Sequence, residues 1–261
     1  NYCNAATCRC VDLPWITGLD PDNGAPGNLI TIGGKDFGEN AGEVVFLGNP
    51  NDPADDKIAR FPNEVNTNCQ NTWKDKQIVV EVPNGAVAGP LKVTTSLGLY
   101  DRTDDWRGPK IDFTVNDIER PGICLLEPDQ GILGSAIDIY GVNFGNVKDK
   151  VTFGGINASG INNWSNQWIT AVVPSIRPST VKARVVKQNE QSNGLNFKVT
   201  RREEQEVRID YLEPSRGPKG QYVTIFGQGF GNQIGKVYFD NTLAATDFPK
   251  ECGIDYWHND Y

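Results

Sequence analysis

The chain of 261 residues has no methionine, a single histidine, no excess of positive charge and no apolar run long enough to cross a bilayer. Each shortage excludes something. Without even an initiator methionine, the chain is expected to be a piece of a longer or processed product, with any leader already removed. The lone histidine, His258, sits close to the C-terminal end. Ser-His-Asp or Cys-His chemistry would have to be built on that one ring, so no enzyme is expected. Lys and Arg total 25 against 33 Asp and Glu, a formal net charge of −8. This argues against a nucleic-acid binder working through a basic face, because phosphate contacts need clustered cations. A transmembrane helix needs about 20 apolar residues in succession, and none is present. What the chain has instead is 28 glycines, 16 prolines and 38% hydrophobic residues. That composition suits many turns, few long helices and thin cores between sheets.

The six cysteines are Cys3, Cys8, Cys10, Cys69, Cys124 and Cys252. They form no pair of CxxC motifs, so no zinc site is expected, and Cys8-Arg9-Cys10 is too isolated to hold a metal. An even number of cysteines in an acidic, Asn- and Gly-rich chain fits an extracellular or cell-surface protein with disulfides. Spacing alone does not choose the pairing.

An internal repeat organises the rest. The segments 16–46, 123–153 and 209–239 align without gaps. Each carries Leu-(Asp/Glu)-Pro, at Pro21, Pro128 and Pro214, then Gly24, Gly131 and Gly217, then Gly27, Gly134 and Gly220. An alternating stretch follows: Ile30-Thr31-Ile32, Ile137-Asp138-Ile139 and Val223-Thr224-Ile225. It ends in Gly-x-x-Phe-Gly, running from Gly34 to Gly38, Gly141 to Gly145 and Gly227 to Gly231. A second alternation comes next, Val44 with Phe46, Val151 with Phe153, and Val237 with Phe239. In two repeats a later half is visible: Trp73 leads to Ile78 through Val82-Pro83, and Trp164 leads to Ile169 through Val173-Pro174. Further strands are expected near 91–95 and 111–115, and near 181–186 and 195–199. Apolar residues at period two between Gly and Pro signal half-buried strands. Six or seven short strands per unit predict an all-β fold of two-sheet sandwiches.

The Pro-x-x-Gly-x-x-Gly turn, the Ile-Thr-Ile-x-Gly-x-x-Phe-Gly core and the later Trp…Ile…Val-Pro together resemble the IPT/TIG family of immunoglobulin-like domains. The resemblance runs from about residue 14 to 261. It implies an extracellular stalk, receptor or adhesion module; in a minority of cases it implies a DNA-binding partner domain or an accessory domain of a polysaccharide enzyme. Function lives in sites grafted on such folds, so the fold itself names none.

The boundaries that follow are a cysteine-containing arm at 1–13, a first repeat at 14–117 with two loop insertions, a second at 118–202 and a third at 203–261. The third stops where its Ile…Val-Pro strand should begin and is expected to be incomplete. Short linkers, near 116–120 and at 201–206, predict sandwiches that follow one another closely, as a rod. The loops from Phe46 to Trp73 and from Phe239 to Trp257 are longer than that from Phe153 to Trp164, and each long one has a cysteine before its Trp, Cys69 and Cys252. Cys3, Cys8 or Cys10 is the expected partner of Cys69. Cys124, or a cysteine of another chain, is the candidate for Cys252.

Candidate sites are few. Asp52, Asp55 and Asp56 crowd the first insertion and are weak calcium candidates, lacking the spacing and distal Glu of an EF-hand. Asp101, Asp104 and Asp105 are expected to line a solvated turn. Trp73, Trp164 and Trp257 recur at one repeat position and are expected to cover the core. Trp106 is not shared; packing on its own sandwich is the ordinary outcome, and an exposed ring would make it a carbohydrate-stacking candidate. Asn157-Ala158-Ser159 and Asn163-Trp164-Ser165 match the N-glycosylation pattern. No cofactor is expected. The reading is a non-enzymatic extracellular rod, part of a surface appendage, fibril or adhesive stalk. It would self-associate or continue in a longer chain, and could have a protein or glycan ligand. The alternatives are a receptor ectodomain and a carbohydrate-binding region of a larger enzyme.

Overall fold

The computed structural model describes residues 2–4, 9–49, 52–201, 207–230 and 235–244, with side chains from residue 12 onward. The described residues are nearly all strand and turn, and none of their helices is long and apolar enough to cross a membrane. The chain divides into two compact units, residues 1–201 and 202–261.

The first unit holds two sandwiches. In the first, strands Trp15–Asp20, Leu29–Lys35, Gln77–Glu81 and Trp73–Lys74 form one sheet in that order. The other sheet runs Tyr100–Arg102, Leu91–Thr94, Glu43–Phe46 and Lys57–Ile58. The second sandwich repeats the plan. Gly122–Glu127, Ala136–Val142, Trp168–Val172 and Gly160–Trp164 face a sheet built on Leu195–Val199, Ser179–Lys187 and Lys150–Phe153. The alternating residues point as their period requires. Ile30, Ile32, Ile137 and Ile139 are buried, and so are Phe46 and Phe153. Phe46 meets Phe113 edge-on at 5.2 Å, and Phe153 meets Phe197 at 5.3 Å, so the two cores share one aromatic anchor. Ahead of the first sandwich, Tyr2–Asn4 and Arg9–Val11 pair as a short antiparallel ladder.

The shared motif has a packing reason. A Cβ on Gly34 would lie 2.2 Å from the Phe37 ring, and one on Gly141 would lie 2.5 Å from Phe144 and 2.0 Å from the Gly122 carbonyl. Phe therefore folds back over a residue that must lack a side chain, which is why Gly-x-x-Phe recurs. Gly27, Gly134 and Gly220 have φ of 88°, 83° and 85°, the left-handed turn that glycine enters without strain. The X-Pro bonds at Pro21, Pro128 and Pro214 are cis in all three repeats.

The second unit shows the same opening. Arg208–Glu213 pairs with Thr224–Gln228, and Tyr238–Phe239 pairs with Thr242–Leu243. All three repeats carry a bulge in the first strand, between Ile16 and Gly18, Ile123 and Leu125, and Ile209 and Tyr211. A bulge inserts one residue and re-aims its side chain. In the second repeat that residue is Cys124.

Within the first unit the two sandwiches are joined covalently. Cys69, in the long loop of the first, is bonded to Cys124, with Cα atoms 5.3 Å apart. This corrects the expected pairing of Cys69 with the N-terminal arm and removes Cys124 as a partner for Cys252. The loop reaches over to the second sandwich. Its Asn66 Nδ2 donates to the Gly141 carbonyl of the second sandwich at 2.8 Å, which carries Cys69 across. Around the bond, Leu29 and Val79 of the first sandwich belong to one buried cluster with Ile123, Cys124 and Leu126 of the second. Polar clamps close the rim. Arg184 pairs with Asp20 at 2.8 Å, Lys74 with Asp129 at 3.3 Å, and Asn193 Nδ2 donates to Thr31 Oγ1 at 2.9 Å. The linker is fixed as well: the Arg120 amide donates to Asn28 Oδ1, and its guanidinium bonds the Asn23 carbonyl and pairs with Glu190.

Candidate functional site

The carboxylates of the first insertion are engaged in closing their own loop. Asp52 Oδ1 accepts from the Ala54 amide at 3.2 Å and caps the short helix Pro53–Asp55. Asp55 Oδ2 accepts from the Asn49 amide at 2.9 Å, and Asp56 Oδ1 accepts from Gly48 at 3.3 Å. Lys57 Nζ donates to the Ala54 carbonyl at 3.1 Å. Asx-type capping accounts for Asp52, and Asp55 and Asp56 close the loop onto the amides of Asn49 and Gly48. Among the described residues no group of three His, Cys, Asp or Glu is placed to hold a metal ion.

The second acidic group differs from its expectation. Asp101 is not on a solvated turn but buried, with 3% of its surface exposed. Its Oδ2 accepts from the Ile16 amide at 2.7 Å, and its Oδ1 accepts from Arg107 at 2.6 Å. The Ile16 amide lies at the edge of the bulge, where the ladder leaves a donor without a strand partner. The second sandwich solves the same problem with a neutral group. Asn193 Oδ1 accepts from the Ile123 amide at 2.7 Å, and its Nδ2 returns a bond to the Ile123 carbonyl at 2.7 Å. Both residues were missed as a pair in the sequence. The signal was a polar residue after the strands that start at Leu91 and Ser179, but nothing in local spacing says that it turns inward.

The loop that carries Asp101 is held by three ion pairs. Arg102 bonds Asp104 through both Nε and Nη2, each at 2.8 Å, and Arg107 also bonds Asp105 at 3.0 Å. Hydrogen bonding and charge raise the Arg102 guanidinium pKa, with Asp104 the main cause. Between these pairs Trp106 stands 87% exposed, so the expectation that it packs on its own sandwich is overturned. The flanking Asp-Arg pairs tie the loop down on either side of the ring.

The remaining candidates separate by environment. Trp73 is buried and donates through Nε1 to the carbonyls of Phe37 and Gly38, and Trp164 is half-buried and donates to Gly145 at 3.0 Å. Each indole therefore ties a Trp to the end of its Gly-x-x-Phe-Gly turn. Asn157 is exposed at the end of Ile156–Asn157, whereas Asn163 is half-buried with its Nδ2 directed at the Trp168 carbonyl at 3.5 Å. Cys252, Trp257 and His258 lie outside the described residues, as do Cys8 and the side chains of Cys3 and Cys10.

The IPT/TIG domain family model matches residues 121–199. No curated protein matches the chain. Among solved structures, the chain is similar to the full extracellular region of Plexin A4, at 18% identity and a TM-score of 0.29, covering 76% of this chain and 19% of that one. It is similar to SGBP-B from a xyloglucan utilization locus in Bacteroides uniformis, at 17% identity and 0.28, covering 72% and 50%. It is also similar to the gamma-CGTase of the alkalophilic Bacillus clarkii, at 14% identity and 0.32, covering 69% and 23%. The chain thus spans half or less of the length of these proteins. The family match falls on the second sandwich, whose turn, Gly-x-x-Phe-Gly core and Trp-to-Val-Pro strand are the features that the first sandwich repeats. Residues 121–199 of this chain are an IPT/TIG domain.

Proposed function

We propose that the chain is a non-enzymatic structural segment of an extracellular protein, a tandem-sandwich part of a surface appendage, fibril or adhesive stalk. The observation that supports this is the Cys69–Cys124 bond between two successive sandwiches. Disulfides persist in oxidising compartments, which favours an extracellular location. A bond placed between domains, rather than inside one, serves to hold their mutual angle. The first insertion is used in the same way, since Asn66 and Cys69 both reach the second sandwich. The carboxylates of the two inserted loops cap turns or neutralise arginines, which favours a scaffold over a catalyst. In this reading the segment bears load or sets spacing, and it associates with further copies of itself.

Immunogold electron imaging of intact, unpermeabilised cells, with an antibody against residues 1–201, tests the proposal. Label on the cell exterior and along extended structures is the expected result. Label that enters only after permeabilisation would overturn it.

A further inference from the structure

Trp106 is the most exposed large apolar side chain among the described residues. Its loop is tied down at several points. Asp101 anchors the loop to the buried Ile16 amide, and Thr103 Oγ1 accepts from the Leu91 amide at 2.9 Å. The Ile111 amide returns to the Thr103 carbonyl at 3.0 Å. On the far side, Gly108 sits against Trp15, where an added Cβ would be 3.3 Å from the indole nitrogen. Trp15 is itself 38% exposed, with Lys35 Nζ 4.8 Å from its ring centre. Two indoles thus flank one short loop, and the outer one meets water on nearly all sides.

An isolated exposed apolar residue needs no explanation. A large ring held out by a loop with three ion pairs is a different case, because the loop that carries it need not be ordered on binding. The surroundings choose the ligand class. The centre of a protein interface is depleted of charge and rich in apolar neighbours. Trp106 is instead bordered in sequence by Asp104, Asp105 and Arg107, all partly exposed. A pyranose ring has the matching chemistry: a flat face of C–H groups to lie on the indole, and a rim of hydroxyls to meet carboxylate and guanidinium.

We propose that Trp106 is the stacking platform of a carbohydrate site, with Asp104, Asp105 and Arg107 as its polar rim. The ligand is a polysaccharide whose pyranose rings present an open C–H face to the indole. This inference concerns one loop surface and holds or fails independently of the appendage reading.

Affinity electrophoresis of the full chain, in native gels containing hydroxyethyl cellulose or galactomannan, tests it. The expected result is retardation in at least one gel, with affinity reduced about tenfold or more by Trp106→Ala. Trp106→Phe should keep part of the retardation. Trp168→Ala, on an exposed Trp of the other sandwich, should leave it unchanged. Because Trp106 touches so little, its removal should leave the melting temperature of the chain in place. Absence of retardation in both gels, or equal retardation of Trp106→Ala and the unaltered chain, would overturn the proposal.

Discussion

Replacing Cys69 and Cys124 together by alanine is expected to lower the unfolding free energy of the 1–201 unit by about 4 kcal/mol. The magnitude comes from the chain-entropy relation for the closed loop, which here spans a sequence separation of 55. Equilibrium denaturation of the full chain in urea checks it. The cross-link does not act alone, because Leu29, Val79 and Leu126 still bury their shared surface and the Arg184–Asp20 pair still spans the gap. The double variant should therefore keep its two sandwiches docked in dilute buffer and reveal its loss in a lower denaturant midpoint. A midpoint unchanged from that of the oxidised protein would mean that the bond constrains nothing.

The second large effect is expected at Asp101. Asp101→Ala removes the acceptor of the buried Ile16 amide and leaves Arg107 with Asp105 alone. An unsatisfied buried donor costs about 1–3 kcal/mol. Separating a charge from its buried partner adds to that, so a loss of about 3 kcal/mol is expected. Asp101→Asn separates the two contributions. Asparagine can accept from the Ile16 amide as Asn193 accepts from Ile123 in the second sandwich, and its loss should be closer to about 1 kcal/mol. Thermal unfolding of the three proteins side by side gives the comparison. If Asp101→Asn is as damaging as Asp101→Ala, the charge on Arg107 matters and the hydrogen bond at the bulge does not.

The two repeats explain why some of this was legible and some was not. Features that every copy needs for its own core could be read directly: Gly34 and Gly141 beneath Phe37 and Phe144, and Ile30-Thr31-Ile32 against Ile137-Asp138-Ile139. Repetition separated them from chance. The joint between copies is a property of neither alone, and local periodicity is silent about it. The trace it leaves is a difference between copies. Val79 is buried and stands where the second repeat has the partly exposed Thr170, and Leu29 is buried where the second has the exposed Ala136. These are strand positions that should face water, and in the first repeat they are apolar because the second sandwich covers them. Cys124 is a trace of the same kind, since the other two repeats have Thr17 and Asp210 at the bulge. A loop length could suggest a covalent staple, but the direction in which residues 61–72 leave the first sandwich is set by three-dimensional packing. Spacing therefore points Cys69 towards the arm, whereas packing carries it to Cys124. The orientation of Trp106 is hidden from the sequence for a related reason: whether a loop Trp turns in or out depends on the space below it, and here paired Asp and Arg side chains hold the loop.

The claim on which the account turns is that two successive sandwiches are cross-linked to each other. Peptide mapping by mass spectrometry, on protein digested without reduction and with free thiols blocked beforehand, tests it most directly. The account predicts one linked pair of peptides containing Cys69 and Cys124, released from each other on reduction. A Cys69 peptide linked to Cys3, Cys8 or Cys10, or recovered as a blocked free thiol, would contradict it.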